Sequence, residues 1–199
     1  MEDQQQQEEQ SQSKSKSKSN CLTQQQYNKC ILEFLDGHNV EYKTVHHEET
    51  FTSEESSRVR GVPLSTGGKA LLLKVSGDNN NNNNNKFSLF VMSASRKLHS
   101  KAIKKELKGT KNIRFATREE LADITGGLVP GCVPPFGKPI LKYNNGDDEY
   151  LELYVDTSIA KENEIIAFNA GSLTDSVIMS VPDYLRISAP TKIFTFSKS

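Results

Sequence analysis

A chain of 199 residues with an apolar fraction of 35% has room for one domain and a polar extension. No run of about 18 apolar residues occurs, and the Gln/Glu-rich start lacks the basic segment and apolar block of a signal peptide, so a cytoplasmic protein without a membrane partner is expected. Lys+Arg and Asp+Glu balance at 25 each, which argues against a protein that coats DNA or RNA by bulk charge, and three cysteines without a Cys-x-x-Cys pair support neither a structural zinc nor a disulfide framework.

Residues 1–20 hold four consecutive glutamines and the Ser/Lys alternation from Ser13 to Ser19, with no apolar residue after Met1 to bury, and read as a disordered tail. The folded domain is expected over 21–199. Thr23 with Gln26 has capping-box spacing, and Tyr27, Ile31, Phe34 and Leu35 recur on one helical face until Gly37. Val40 to Val45 alternates as a strand does. Thr52 with Glu55 caps a short helix through Val59 that stops at Gly61-Val62-Pro63. Lys69 to Val75 and Phe87 to Met92 read as two strands, joined by a link that includes the run Asn79 to Asn85, an insertion of small entropic cost with no function expected of it.

Ser100 to Leu107 reads as a helix with Ala102, Ile103 and Leu107 inward, followed by a strand at Ile113 to Ala116. Thr117 with Glu120 opens a further helix that ends near Gly126-Gly127. Strands are then expected at Ile140 to Tyr143, Tyr150 to Val155, Glu164 to Phe168 and Ser176 to Val181, with a turn at Asn144 to Asp147 and a last helical turn after Pro182-Asp183. The fold class is mixed α/β (α+β): a single domain of about seven mostly antiparallel strands in a mixed sheet or partly closed barrel, surrounded by short helices.

Thr52 to Glu55, Arg60 to Pro63, Gly68 to Leu71, Phe115 to Leu121, Gly131 to Gly137, Val155-Asp156 and Asn169 to Ser172 stand in an order and with a spacing, from about Thr23 to Ser188, that resemble the YbaK family, which shares its fold with the editing insertion of bacterial prolyl-tRNA synthetases. The resemblance implies a trans-acting deacylase that hydrolyses the ester between a wrongly attached amino acid and the terminal adenosine of tRNA. Lys69 matches the family's activity lysine, and Gly131 to Pro135 matches its Gly-x-x-x-Pro loop beside the scissile carbonyl. The catalytic candidates are therefore Lys69, Gly131, Cys132, Val133 and Pro135. Thr52, Phe136, Gly137, Asp156, Asn169, Gly171 and Ser172 are the candidates for contact with substrate. The expected partners are a mischarged aminoacyl-tRNA and, as a second candidate, an aminoacyl-tRNA synthetase. No cofactor and no metal are expected.

The residue types suit that chemistry. Ester hydrolysis builds negative charge on the carbonyl oxygen, which backbone N–H groups fixed in advance can stabilise. In the 131–135 loop the prolines carry no N–H, leaving Gly131, Cys132 and Val133 as donors. A lysine at the start of an apolar strand places a cation at the rim of a core, where it can hold a phosphate or orient a carbonyl. Asp156 follows a strand and can either cap the turn Thr157 to Ala160 or contact the site.

Cys132 as a nucleophile is disfavoured, since no His-Cys signature surrounds it. His46 and His47 are adjacent on a strand and point to opposite faces, so they do not share a metal, although His47 can face the pocket. Between Arg96 and Arg114 only Glu106 opposes a run of basic residues. Lys101, Lys104, Lys105 and Lys108 in that run are the candidates for contact with tRNA phosphates. A non-catalytic adaptor that binds tRNA or a synthetase through the same fold is the alternative function.

Overall fold

The computed structural model describes residues 23–77, 85–141 and 150–199, so the tail, most of the asparagine run and the turn expected at Asn144 to Asp147 lie outside the described residues. In chain order the helices are α1 (Gln24–Gly37), α2 (Ser53–Arg60), α3 (Ser100–Glu106), α4 (Arg118–Thr125), α5 (Thr157–Ala160) and α6 (Val181–Ser188). The strands are β1 (Tyr42–His46), β2 (Gly68–Ser76), β3 (Asn85–Ser93), β4 (Lys97–Leu98), β5 (Asn112–Phe115), β6 (Glu152–Asp156), β7 (Ile165–Asn169), β8 (Asp175–Ser180), β9 (Lys192–Phe194) and β10 (Ser197–Lys198).

All three capping boxes expected from Thr-x-x-Glu/Gln spacing form reciprocally, at Thr23 and Gln26, Thr52 and Glu55, and Thr117 and Glu120. Each satisfies two N–H groups that the helix itself leaves unpaired, which is why these starts fall where the sequence places them. α2 and α4 then stop at Gly61 and Gly126, both left-handed.

The strands form a five-stranded sheet of order β5-β2-β3-β6-β9, a three-stranded sheet of order β1-β8-β7, and the small pair β10-β4. The pairs β3-β6 and β6-β9 are parallel and the rest are antiparallel. The five-stranded sheet is covered on both faces. Leu72, Leu89, Val91, Leu153 and Val155 belong to the larger core, while Leu73, Val75, Phe90, Met92 and Tyr154 alternate with them into a second one. That two-sided burial accounts for the unbroken apolar run in β3, which an exposed face would have interrupted with polar residues.

An isolated bridge between Gly67 and Ala167 joins the two larger sheets without closing them into a barrel. Close approach there needs glycine. A Cβ on Gly68 would lie 2.7 Å from the Ile166 side chain.

Four expectations change. Lys138 to Ile140 form a turn, in which the Lys138–Pro139 bond is cis, and Leu141 is not in a strand, so no strand begins at Ile140, and residues 142–149 lie outside the described residues. β4, β9 and β10 are additional strands of three residues or fewer. The terminal helical turn is a two-turn helix, α6, capped by Ser180. Asn85, the last of the asparagine run, opens β3.

Candidate active site

Where the two larger sheets meet, a cavity of about 530 Å³ collects residues far apart in the chain. Lys69 enters as the second residue of β2, and Thr52 as the N-cap of α2. Gly131 and Val133 come from the loop after α4, and Asn169 from the end of β7. Lys69 is exposed and lines the cavity, and it has no ion pair with a carboxylate among the described residues. Five of the residues expected at the site are thus brought together.

The loop is rigidly held. Gly131 sits at φ +93°, a conformation in which a side chain would be strained, and its carbonyl accepts a 2.8 Å hydrogen bond from Asn169 Nδ2. The Pro135 carbonyl accepts from Tyr184 Oη of α6 at 2.9 Å. Cys132 N–H donates to Val129 O at 3.1 Å, which closes the turn. This removes the Cys132 N–H as a donor to substrate. Among the described residues neither Gly131 N–H nor Val133 N–H has a backbone acceptor, and both residues line the cavity.

Behind Asn169 lies a residue absent from the expected set. Arg60, the last residue of α2, also lines the cavity; it donates from Nε to Ser176 Oγ at 2.9 Å, from one terminal nitrogen to Ala167 O at 3.3 Å, and from the other to Asn169 Oδ1. All three acceptors are uncharged, and burial pushes its guanidinium down to about 10. Because arginine can only donate, the Asn169 amide must turn its oxygen to Arg60 and its nitrogen to Gly131. A single chain of bonds therefore runs from α2 through β7 to the Gly131 loop. Arg60 opens one of the resembling segments, Arg60 to Pro63, but by itself it reads as an ordinary charged helix end near Arg58.

The remaining expected residues lie elsewhere. Cys132 is fully buried and points into the larger core, and burial pushes its thiol up to about 11, the reverse of what a nucleophilic thiolate needs. Phe136 is also fully buried, edge-on to Phe34, Phe168 and Tyr184. Gly137 packs against the Leu151 carbonyl, and Gly171 against Tyr27 of α1. Ser172 Oγ is engaged by Thr174 and Asp175 in the β7–β8 turn. Asp156 caps α5 instead of contacting the site. Its fully buried carboxylate accepts from Ser158 N–H at 2.8 Å, Phe196 N–H at 2.5 Å and Ser197 Oγ at 2.7 Å. These residues shape the walls or the core behind the cavity rather than its surface.

The two histidines separate as the strand geometry requires. His46 bonds to Asp175, and His47 to Glu48 O and Ser176 Oγ, which places His47 behind Arg60 and off the cavity. Among the described residues no group of three His, Cys, Asp or Glu side chains could hold a metal ion, and no helix is long and apolar enough to cross a membrane. In the basic run, Lys101, Lys104, Lys105 and Lys108 are all exposed on or just after α3, and Glu106 is taken by Lys192 at 2.5 Å. None of the four lysines has a carboxylate partner among the described residues.

Residues 47–187 match the family model described as the aminoacyl-tRNA editing domain. The chain is 32% identical over 161 residues to the multifunctional Ser/Thr-tRNA deacylase ProXp-y of Escherichia coli strain K12, covering 80% of this chain and 87% of that protein. Its fold is similar to that of a hypothetical protein of known crystal structure, with a TM-score of 0.67 at 20% identity, covering 84% of this chain and 99% of the other. It is also similar to a protein described as a candidate trans-editing enzyme for prolyl-tRNA synthetase, with a TM-score of 0.66 at 18% identity over 87% and 98% of the two chains.

Proposed function

The chain belongs to the aminoacyl-tRNA editing domain family, and from that premise we propose that it is a trans-acting deacylase that hydrolyses the ester of mischarged tRNA. The observation that supports the reading is the meeting of Lys69, Gly131 and Val133 around one cavity, a set that offers an ester carbonyl a cation and two backbone N–H donors. Water oxygen attacks the carbonyl carbon, and the Gly131 and Val133 N–H groups take the charge that develops on the carbonyl oxygen. The carbon–oxygen bond to the ribose then breaks, the proton lost by water ends on the ribose oxygen, and free amino acid and tRNA leave. Lys69 holds the substrate through its carbonyl or the neighbouring phosphate. Arg60 and Asn169 fix the Gly131 loop so that its donors need not reorganise during the reaction. The reaction uses no cofactor.

The domain carrying this activity starts at about residue 21, and the protein works in the cytoplasm. The substrate amino acids proposed first are serine and threonine, the pair in the name of the Escherichia coli relative. The test is a deacylation panel with purified protein and tRNAs carrying serine, threonine, alanine or cysteine. Hydrolysis of the seryl and threonyl esters well above the spontaneous rate is expected. Binding without hydrolysis across the whole panel would replace the deacylase with an adaptor. An aminoacyl-tRNA synthetase is the second proposed partner.

The exposed lysines of α3 are proposed to track acceptor-stem phosphates. Each phosphate contact contributes roughly one counterion to the salt dependence, so reversing Lys104, Lys105 and Lys108 to glutamate should weaken tRNA binding and flatten the slope of log K against log salt by about 2 to 3. Binding measured across a salt series checks this, and an unchanged slope takes the surface out of the binding model.

A further inference from the structure

Among the described residues four large apolar side chains are exposed, and two of them, Phe51 at 75% and Phe115 at 56%, line the cavity that holds Lys69. Neither is covered by the element it adjoins. Phe51 stands directly before the N-cap Thr52, a position from which an apolar residue usually staples to the fourth helical residue, but that residue is the polar Ser56. Phe115 ends β5, the edge strand of its sheet.

Both residues are nevertheless held in place. Phe51 N–H donates to Glu55 Oε2 at 2.9 Å, and Arg114, next to Phe115, forms two 2.6 Å bonds with Glu120. These are the two carboxylates that close the capping boxes of α2 and α4. The backbone is ordered while the rings stay in solvent, which lowers the cost of ordering them when something binds.

We infer that Phe51 and Phe115 form a stacking rim for the unpaired bases at the 3′ end of the tRNA, a subsite that rests on the deacylase reading. Unpaired bases present flat apolar faces, and proteins hold such bases by stacking them on aromatic rings. The rim is not a protein-docking patch in character, because polar Thr52, Ser53 and Glu54 interrupt it and Lys69 lies in the same cavity. Arg118 is exposed three residues beyond Phe115, and α3, which packs on β5, carries the exposed lysines, so groups able to meet backbone phosphates lie on the elements next to the rim. Stacking there would orient the terminal ribose ester toward Lys69 and the Gly131 loop.

The test uses an uncharged acceptor-stem RNA with 2-aminopurine in place of the terminal adenine, together with hydrolysis of seryl-tRNA. Stacking quenches 2-aminopurine, so binding to the unaltered protein should quench it, and Phe51→Ala and Phe115→Ala should each relieve the quench. Each alanine variant should raise KM for seryl-tRNA about tenfold with kcat within about twofold, the size expected for one lost base stack. Phe→Trp at either position should retain quench and KM, whereas Phe→Leu, which keeps apolar area without a ring, should not. Because both side chains are exposed, unchanged melting temperatures are expected and separate these effects from misfolding. Hydrolysis of seryl-tRNA without quenching, or an unchanged KM in both alanine variants, overturns the rim. Phenylalanine-dependent quenching with no charged tRNA hydrolysed removes the deacylase reading and leaves the rim standing.

Discussion

Replacing Lys69 by alanine is expected to lower kcat/KM for a mischarged tRNA by about 100- to 1000-fold, because losing the cation that holds the substrate also misplaces its carbonyl against the Gly131 and Val133 donors. Stability should hardly change, because the side chain is exposed and the backbone pairing of β2 with β3 is untouched. Lys69→Met separates charge from bulk, since it keeps most of the stem and loses the cation. A methionine protein as inactive as the alanine one assigns the effect to the ammonium group. Full activity in either variant, measured by single-turnover hydrolysis, would remove Lys69 from the mechanism. Lys69→Arg should recover only part of the rate, because a planar fork does not reproduce a compact point charge.

The largest loss of stability is expected at Asp156. Its carboxylate gathers the start of α5 and the C-terminal residues Phe196 and Ser197, and Asp156, Ser158 and Phe196 are all buried. Hydrogen bonds to a charged acceptor contribute about 1.5–3 kcal/mol, and removing the acceptor strands two buried N–H groups, so Asp156→Ala should cost about 4 kcal/mol. For a domain of this size that is a fall of about 10 °C in Tm. Asp156→Asn should be milder but not neutral. The amide oxygen can still accept from Ser158, while the amide nitrogen would confront the Phe196 N–H as donor against donor. Thermal melts of both variants check the order, and an Asp156→Ala protein as stable as the parent would show that the C-terminal segment is held by Phe196 packing alone.

Helix starts were legible wherever the signal was local. Thr23, Thr52 and Thr117 each find their Gln or Glu three residues on, and that chemistry does not depend on distant contacts. Lys97-Leu98, Lys192 to Phe194 and Ser197-Lys198 were not legible as strands. Two or three residues carry no periodicity, and only their partners across the sheet order them. Ile140-Leu141 has strand-like side chains, yet the chain turns there after Pro139.

The site divides in the same way. Lys69, Gly131 and Asn169 could be picked out from the resemblance, and all three meet at the cavity. Phe136, Gly137, Asp156, Gly171 and Ser172 belong to the same stretches but serve the core and turns, because a motif marks a segment and does not say which residues face outward. Arg60 escaped for the opposite reason: a charge at a helix end is normally solvated, and only the docking of α2 on β7 buries it.

The register of β2 with β3 has one more consequence. Gly68 pairs with Ser93 at the cavity end, and Ser76 with Asn85 at the other, so the asparagine-rich connection joins the hairpin eight residue steps from Gly68. At about 3.4 Å per residue that is roughly 27 Å from the chemistry. The length of the tract therefore makes no demand on the cavity, and a longer or shorter one should leave the placement of Lys69 at the opposite end of the hairpin unchanged.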